Sequence, residues 1–371
     1  MARKFGKKNI VRIDPFEYNL ALFGLAGIGK STLVADLCDE VLGEEGYIIY
    51  NMGKEDGTKA LQGAIYEDVK SWQDFININN DIVKNKDTDY KELRMVVIDT
   101  IDELALLGEK EVIRLSNIEN PAKRVKQFKA TFGGFGAGAK VLSKLILDEI
   151  DRLKSVGINV FIVGHVKRRT KPDPYTNTEY DTITAKIDSS LFDDIKSKLD
   201  ILGVGLIRRD VEKTIVGEDI MGKAITKNVT KSESRVITFR DDNYSIDSKS
   251  RFAEIVPEIP LEPKAFYNAI KDAIEKSFNK KDVGMSMEKA KEIQEQQFDD
   301  KTSKAIAEAK EELTVPLMSD TIIEFYKTTD DVNKKLIGAK IKEFGIGKLS
   351  DLVTLDYEAV KTVYDLTRNH E

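Results

Sequence analysis

The chain has one cysteine, Cys38, in 371 residues. A single thiol cannot close an internal disulfide or build a cysteine-based zinc site, so nothing argues for an oxidising compartment and a reducing cytoplasm is expected. Basic charge is not in excess either. The 58 Lys and Arg residues face 64 Asp and Glu, a net charge of −6, which excludes a uniformly basic coat on nucleic acid but leaves room for a local basic strip. No apolar run approaches the roughly 20 residues of a membrane span, and the basic residues 1–8 lack the apolar stretch of a secretory signal. A chain that is neither exported nor membrane-embedded is therefore expected. No internal repeat is visible.

What is present describes a globular protein. Hydrophobic residues make up 41% and charged residues 33%, enough apolar material to fill a core. The length exceeds one typical domain, so a large core domain with a smaller appendage is expected. Short apolar runs at 18–23, 47–50, 95–98, 159–164 and 201–207 alternate with helix-like stretches, the pattern of a parallel sheet flanked by helices. In 31–42, residues Leu33, Val34, Leu37, Cys38 and Val41 recur at helical spacing, which places Cys38 in the core. A second helix is predicted near 141–153, with Leu142, Leu145, Ile146 and Ile150 on one side.

The alternating segment 234–240 and the turn-rich 241–243 read as hairpin strands closing the sheet edge. From Pro263 the chain reads as helical, with Phe266, Ala269, Ile270, Ala273 and Ile274 on one amphipathic face. Residues 279–314, rich in Lys, Glu, Gln and Asp, read as a linker or a solvated helix. Ile322, Phe325, Ile341, Leu352 and Val360 then suffice for a small helical bundle. The expected fold is α/β, a mostly parallel central sheet flanked by helices, with a helical C-terminal extension. The expected division is a core over 1–262, a helix and charged linker over 263–315, and a small helical domain over 316–371.

Gly24-Leu25-Ala26-Gly27-Ile28-Gly29-Lys30-Ser31-Thr32 satisfies the Walker A pattern between a predicted strand and a predicted helix, the context that the mechanism needs. Gly24, Gly27 and Gly29 let backbone N–H groups wrap a triphosphate, and the helix N-terminus adds partial positive charge. Lys30 would reach the β and γ phosphates, Ser31 would ligate Mg²⁺, and Thr32 completes the cradle. ATP and Mg²⁺ are the expected cofactors.

The run Met95-Val96-Val97-Ile98-Asp99 is an apolar strand delivering a carboxylate at its C-terminal end, where ligands sit in open α/β sheets. Asp99 would hold the Mg²⁺ through its water shell. Thr100 follows it rather than Glu, so the hydrolytic base must come from elsewhere. Glu55, just beyond the second strand, is the leading candidate to orient and deprotonate the attacking water. Asp56 is its neighbour and rival, and Asp102 and Glu103 are further rivals that also suit a helix N-terminus. His165 ends the strand 159–164, where a polar group can face the γ-phosphate and report hydrolysis to the loop that follows.

Together these features resemble the RecA-type ATPase core, the branch with RecA, RadA, KaiC and DnaB. Segments 18–32, 96–104 and 159–167 look like the phage-encoded RecA-like ATPases of single-strand annealing and recombination. The similarity covers roughly 10–262, and for a phage protein it implies the host cytoplasm. It implies further that Lys249 and Arg251, spaced as Lys-x-Arg, act in trans on a neighbour's nucleotide, neutralising charge on the transferred phosphoryl group. Hydrolysis would then require self-assembly, as a ring or a filament.

In that core, two loops line the DNA path. The first region here carries Lys110, Arg114, Lys123, Arg124, Lys126 and Lys129 before Phe132-Gly133-Gly134-Phe135-Gly136, and the second opens with Lys167-Arg168-Arg169-Thr170-Lys171 and continues through Tyr175 and Tyr180. Cations pair with phosphates while aromatic rings stack on bases, without sequence preference. Single-stranded DNA is the expected partner, and the tail is a candidate dock for a single-stranded-DNA-binding protein. Two other functions share the core: a hexameric helicase or its loader, and a nucleotide-gated assembly protein with no DNA role.

Overall fold

A computed structural model describes residues 9–53, 61–173, 176, 178–218, 224–240, 246–280, 284–311, 315–355 and 357–368. The chain divides into two compact units, residues 1–306 and 307–371.

In the first unit the strands and helices alternate: β1 (Leu20–Gly24), α1 (Lys30–Leu42), β2 (Tyr47–Met52), β3 (Tyr66–Val69), α2 (Trp72–Lys84), β4 (Met95–Asp99), α3 (Ile101–Glu119), α4 (Ala137–Ser155), β5 (Asn159–Pro172), β6 (Glu179–Ala185), α5 (Ser189–Lys198), β7 (Ile201–Glu218), β8 (Ala224–Thr238), β9 (Lys249–Ser250), β10 (Glu258–Pro260), α6 (Pro263–Asn279) and α7 (Met287–Glu311). The sheet runs β10-β8-β7-β1-β5-β4-β2-β3, with β6 on β5 and β9 on β7. Its middle is parallel: β1 lies between β5 and β7, and β4 lies beyond β5. The antiparallel pairs β7–β8 and β8–β10 close one side. The α/β fold with a mostly parallel sheet is as the sequence predicts.

Alternate residues of a strand face opposite sides, and this sorts the core. Leu20 and Leu22 of β1, Val97 of β4 and Phe161 and Val163 of β5 pack with Leu33, Val34, Leu37 and Cys38 of α1 and Phe266, Ile270 and Ile274 of α6. Burial pushes the Cys38 thiol up to about 12, with Asp39 adding to the shift, so it is a core residue. On the other side of β1, Phe23 meets Phe192 of α5 edge to face, the ring centroids 5.7 Å apart. Gly164 leaves room for that Phe23 ring, since a Cβ there would lie 2.4 Å from it.

Several boundaries differ from expectation. β5 does not end at His165 but continues through the basic run to Pro172, because residues 166–172 pair antiparallel with 179–185 of β6; the second basic region is a hairpin, not a loop. Tyr175 and the turn at 241–243 lie outside the described residues. β7 and β8 are likewise longer than their apolar runs. They pair as far as Glu218 and Ala224, whereas β1 accompanies β7 only to Gly205, so a two-stranded arm extends roughly 40 Å past the sheet at 3.3 Å per residue.

Within 279–314, α7 is a helix whose residues up to 306 belong to the first unit. Gln294 is buried, accepting from Ile13 N at 3.0 Å and donating to Val11 O at 2.8 Å. The second unit holds α8 (Val315–Thr328), α9 (Asp331–Glu343) and α10 (Tyr357–Arg368). Its core is Met318, Ile322, Ile337, Ile341, Leu352, Val360, Val363 and Tyr364. Among the described residues, no helix is long and apolar enough to cross a membrane.

Candidate active site

The nine-residue Walker A segment lies at the C-terminal end of β1, between Gly24 and the first turn of α1. Gly27 (φ +71°) and Gly29 (φ +107°) have left-handed backbones, which a side chain would strain. Gly24 allows a different closeness, for a Cβ there would lie 2.9 Å from the carbonyl oxygen of Gly205. Leu25, Ala26 and Gly27 form an exposed lip, and Thr32 is exposed. Lys30 is only 5% exposed and donates to the carbonyls of Gly24 at 3.3 Å and Leu25 at 3.0 Å. These are loop carbonyls that an incoming phosphate would compete with for the ammonium.

Asp99 ends β4 and is 7% exposed. Burial raises its pKa above the ordinary carboxylate value, opposed by the hydrogen bond from Ser31 and by Lys30 and His165, and reinforced by Asp102. Ser31 and Asp99 are thus in direct contact across the gap between β1 and β4. Two more oxygens at this spot, Thr100 Oγ1 and Asp102 Oδ1, are buried without a hydrogen-bond partner among the described residues. A hydroxyl, a carboxylate and two orphaned oxygens are all hard donors, which suits Mg²⁺. Among the described residues, no group of three His, Cys, Asp or Glu side chains could hold a metal by itself. Ser31 and Asp99 would therefore hold Mg²⁺ together with phosphate oxygens and water, the usual Mg²⁺ arrangement.

His165 lies beside this centre. It pairs in register with Gly24, and Asp102 Oδ2 sits 2.8 Å from its main-chain nitrogen and 3.3 Å from ring Nδ1. Asp102, a rival for the base in the sequence, is the residue that holds His165. Glu103 Oε2 lies against Gly53 at the end of β2, 2.5 Å from where a Cβ on that glycine would stand. Glu55 and Asp56 lie outside the described residues.

A neighbour that the sequence did not single out is Arg235 of β8. Its Nη1 donates to Ile28 O in the phosphate loop at 3.2 Å. No motif points to it; only the antiparallel return of β8 beside β7 brings it there.

Lys249 and Arg251 are elsewhere. β9 pairs with the start of β7, Ser250 opposite Ile201, and Ile201 pairs with Leu20. They therefore lie at the opposite end of β1 from Gly24, roughly 13 Å along the strand. Lys249 Nζ donates to the carbonyls of Lys196 at 2.6 Å and Ser197 at 3.2 Å, at the C-terminus of α5. Arg251 pairs with Asp200 at 2.9 Å.

The two basic regions differ in build. Lys126 and Lys129 are exposed in the connection between α3 and α4. That connection is tied to α3 by the Phe132 N–H, which donates to Ser116 Oγ at 2.9 Å, about 20 Å along the helix from Asp102. Phe132 and Phe135 both have φ of 51°, Phe135 between Gly134 and Gly136, whose φ are also positive, and Phe135 is fully exposed. In the hairpin, Arg168 is ion-paired with Asp181, Lys167 donates to Lys186 O at 2.6 Å, Arg169 to Ile187 O at 3.5 Å, and Lys171 lies 4.0 Å from Asp247 Oδ2.

The glycine loop, the Ser31–Asp99 contact and the intervening strand β5 define a P-loop ATPase. More specifically, the chain belongs to the AAA domain family, whose model matches residues 17–252. A relative from Bacillus subtilis (strain 168), the SPbeta prophage-derived uncharacterized protein YorG, is 24% identical over 136 residues, 37% of this chain. The match spans 40% of that relative's length. The flagellar accessory protein FlaH from Methanocaldococcus jannaschii aligns over 65% of this chain and 92% of its own, at 12% identity and a TM-score of 0.27.

Proposed function

We propose that this chain is a phage-type, RecA-like ATPase that acts as an oligomer on single-stranded DNA, in recombination or single-strand annealing, in the cytoplasm of the host. The observation that carries this reading is the continuity of β5. One strand holds His165 beside the nucleotide centre and then runs, without a break, into the cations from Lys167 to Lys171. In this reading a change at the γ-phosphate that moves His165 passes along the same strand to the cations that would touch DNA. Lys126, Lys129 and the exposed Phe135 supply a second contact region. Lys30 and Ser31 hold the triphosphate with Mg²⁺ and Asp99, Glu55 positions the water, and Lys249 with Arg251 reaches a neighbour's nucleotide. The prophage origin of YorG supports a phage setting.

A second reading is favoured by the partners of the hairpin cations, each of which is already engaged within the chain. It is a nucleotide-gated assembly protein that needs no DNA. ATP hydrolysis measured with and without oligo(dT) separates the two. Several-fold stimulation is expected, and a rate indifferent to the oligonucleotide would overturn the DNA reading. Annealing of complementary strands without unwinding of a duplex would then set it apart from a helicase or its loader.

A further inference from the structure

The cations of the hairpin are not equivalent. Successive residues of a strand face opposite sides, so Lys167, Arg169 and Lys171 share one face while Arg168 and Thr170 share the other. Both residues of that second face bond Asp181, and the carboxylate neutralises Arg168. On the first face, Lys167 and Arg169 have main-chain carbonyls as partners. A carbonyl satisfies a donor without cancelling its charge; Asp188 and Asp102 offset Lys167 from nearby and Asp247 offsets Lys171, so the row of three cations makes this the more basic face of the hairpin.

The row ends in a cleft of about 620 Å³ between β6, the last turn of α5 and β9. Lys171, Lys196, Arg240 and Lys249 line it, with Asp247 the single carboxylate among its described lining residues. Asp247 is shared: Lys196 bonds one oxygen, and the other lies 4.0 Å from Lys171 and accepts from Thr184 Oγ1 at 2.8 Å. Lys249 again donates to carbonyls, those of Lys196 and Ser197. Burial, and then the nearby Arg251, make its proton easier to lose, an effect Asp200 opposes and Lys196 adds to. Cations are thus crowded together in this wall. Tyr180, 37% exposed, stands directly across the hairpin from Lys171 and lines the same cleft.

We propose that this cleft is a nucleotide subsite for single-stranded DNA, in which a phosphodiester is held by Lys171 and Arg240 and a base stacks on Tyr180. The strand approaches along Lys167 and Arg169. The volume suits a nucleotide-sized ligand, and cations beside one accessible aromatic are the sequence-tolerant means of holding a single strand. This inference rests on the DNA reading above and deepens it: Lys171 and Tyr180 stay as contacts, Arg240 joins them in the cleft, and Arg168 drops out.

The test uses the full chain and an oligo(dT) 20-mer carrying 5-iodouracil. Photocrosslinking followed by peptide mapping is expected to place an adduct on Tyr180. Tyr180→Ala and Arg240→Gln are each expected to weaken oligo(dT) binding roughly tenfold, while Tyr180→Phe retains it. Lys171→Gln lowers the salt slope by about one, and Arg168→Gln leaves it unchanged. Failure of the wild-type chain to bind oligo(dT) at all would overturn the DNA reading itself. Binding that survives Tyr180→Ala and Arg240→Gln, with adducts mapping elsewhere, would overturn this subsite alone. So would variants that impair only concentration-dependent ATP hydrolysis with oligo(dT) affinity untouched, since the cleft would then serve a neighbour's triphosphate.

Discussion

Asp102 holds His165 twice through one oxygen, at 2.8 Å to the main-chain nitrogen and 3.3 Å to the ring. The acid sits in the first turn of α3, where the helix dipole favours a negative charge. It fixes the point at which β5 passes the nucleotide centre. Asp102→Ala removes both contacts and is expected to lower kcat for ATP hydrolysis about tenfold or more, with ATP affinity within about twofold. Asp102→Asn keeps an acceptor oxygen and should fall between. Steady-state hydrolysis alongside fluorescent-nucleotide binding checks this; an unchanged kcat in Asp102→Ala would show that His165 needs no such support.

Asp99 pays for its function with stability. Burial raises its pKa above the ordinary value of 3.8, so the folded chain holds that proton more tightly than the unfolded chain does. Its stabilising contribution is complete below the unfolded value and is lost as pH rises through the raised one. Asp99→Asn should therefore melt at a higher temperature than the parent at pH 7, with the difference vanishing towards pH 3. The same change should reduce ATP hydrolysis by about 100-fold or more. Thermal melts across pH provide the check, and a lower melting temperature at pH 7 would contradict it.

Phe135 combines a φ of 51° with full exposure. A bulky residue in that backbone region costs about 1 kcal/mol or more, and no burial offsets it here. Phe135→Gly should leave the chain as stable or more stable, yet weaken oligo(dT) binding about fivefold through the lost stacking surface. Denaturant unfolding and fluorescence anisotropy measure the two effects, and unaltered DNA affinity would remove Phe135 from the contact surface.

Arg235 steadies the phosphate loop from outside, through Ile28 O. Arg235→Ala should raise KM for ATP about five- to tenfold, and Arg235→Lys should recover part of that loss. If KM is unmoved while the chain stays folded, the contact has no bearing on nucleotide binding.

The nucleotide centre was legible because its parts are local in sequence. Gly24 to Thr32 carry their own strand, turn and helix, and Asp99 ends an apolar run that can only be a buried strand. The hairpin was not legible as one. Residues 167–171 are polar on both faces, so no apolar alternation marks them as strand, and only pairing with β6 makes them one. Helix α2 did have a signal: Ser71 caps it by accepting from Asp74 N, and a Ser followed three residues later by an acid marks a helix start. Arg235 had none, since its approach to Ile28 depends on where a strand 207 residues away returns.

The capping of α5 by Lys249 sets a condition on any neighbour that recruits that lysine. Those ammonium bonds must be surrendered first, so engagement is an exchange of partners, and α5 loses a clasp at its last turn. Phe192 of that helix rests on Phe23, one residue before the phosphate loop begins. Under the proposed self-assembly, a subunit lending that cation would loosen the footing of its own nucleotide pocket, and successive sites would not all be gripped alike.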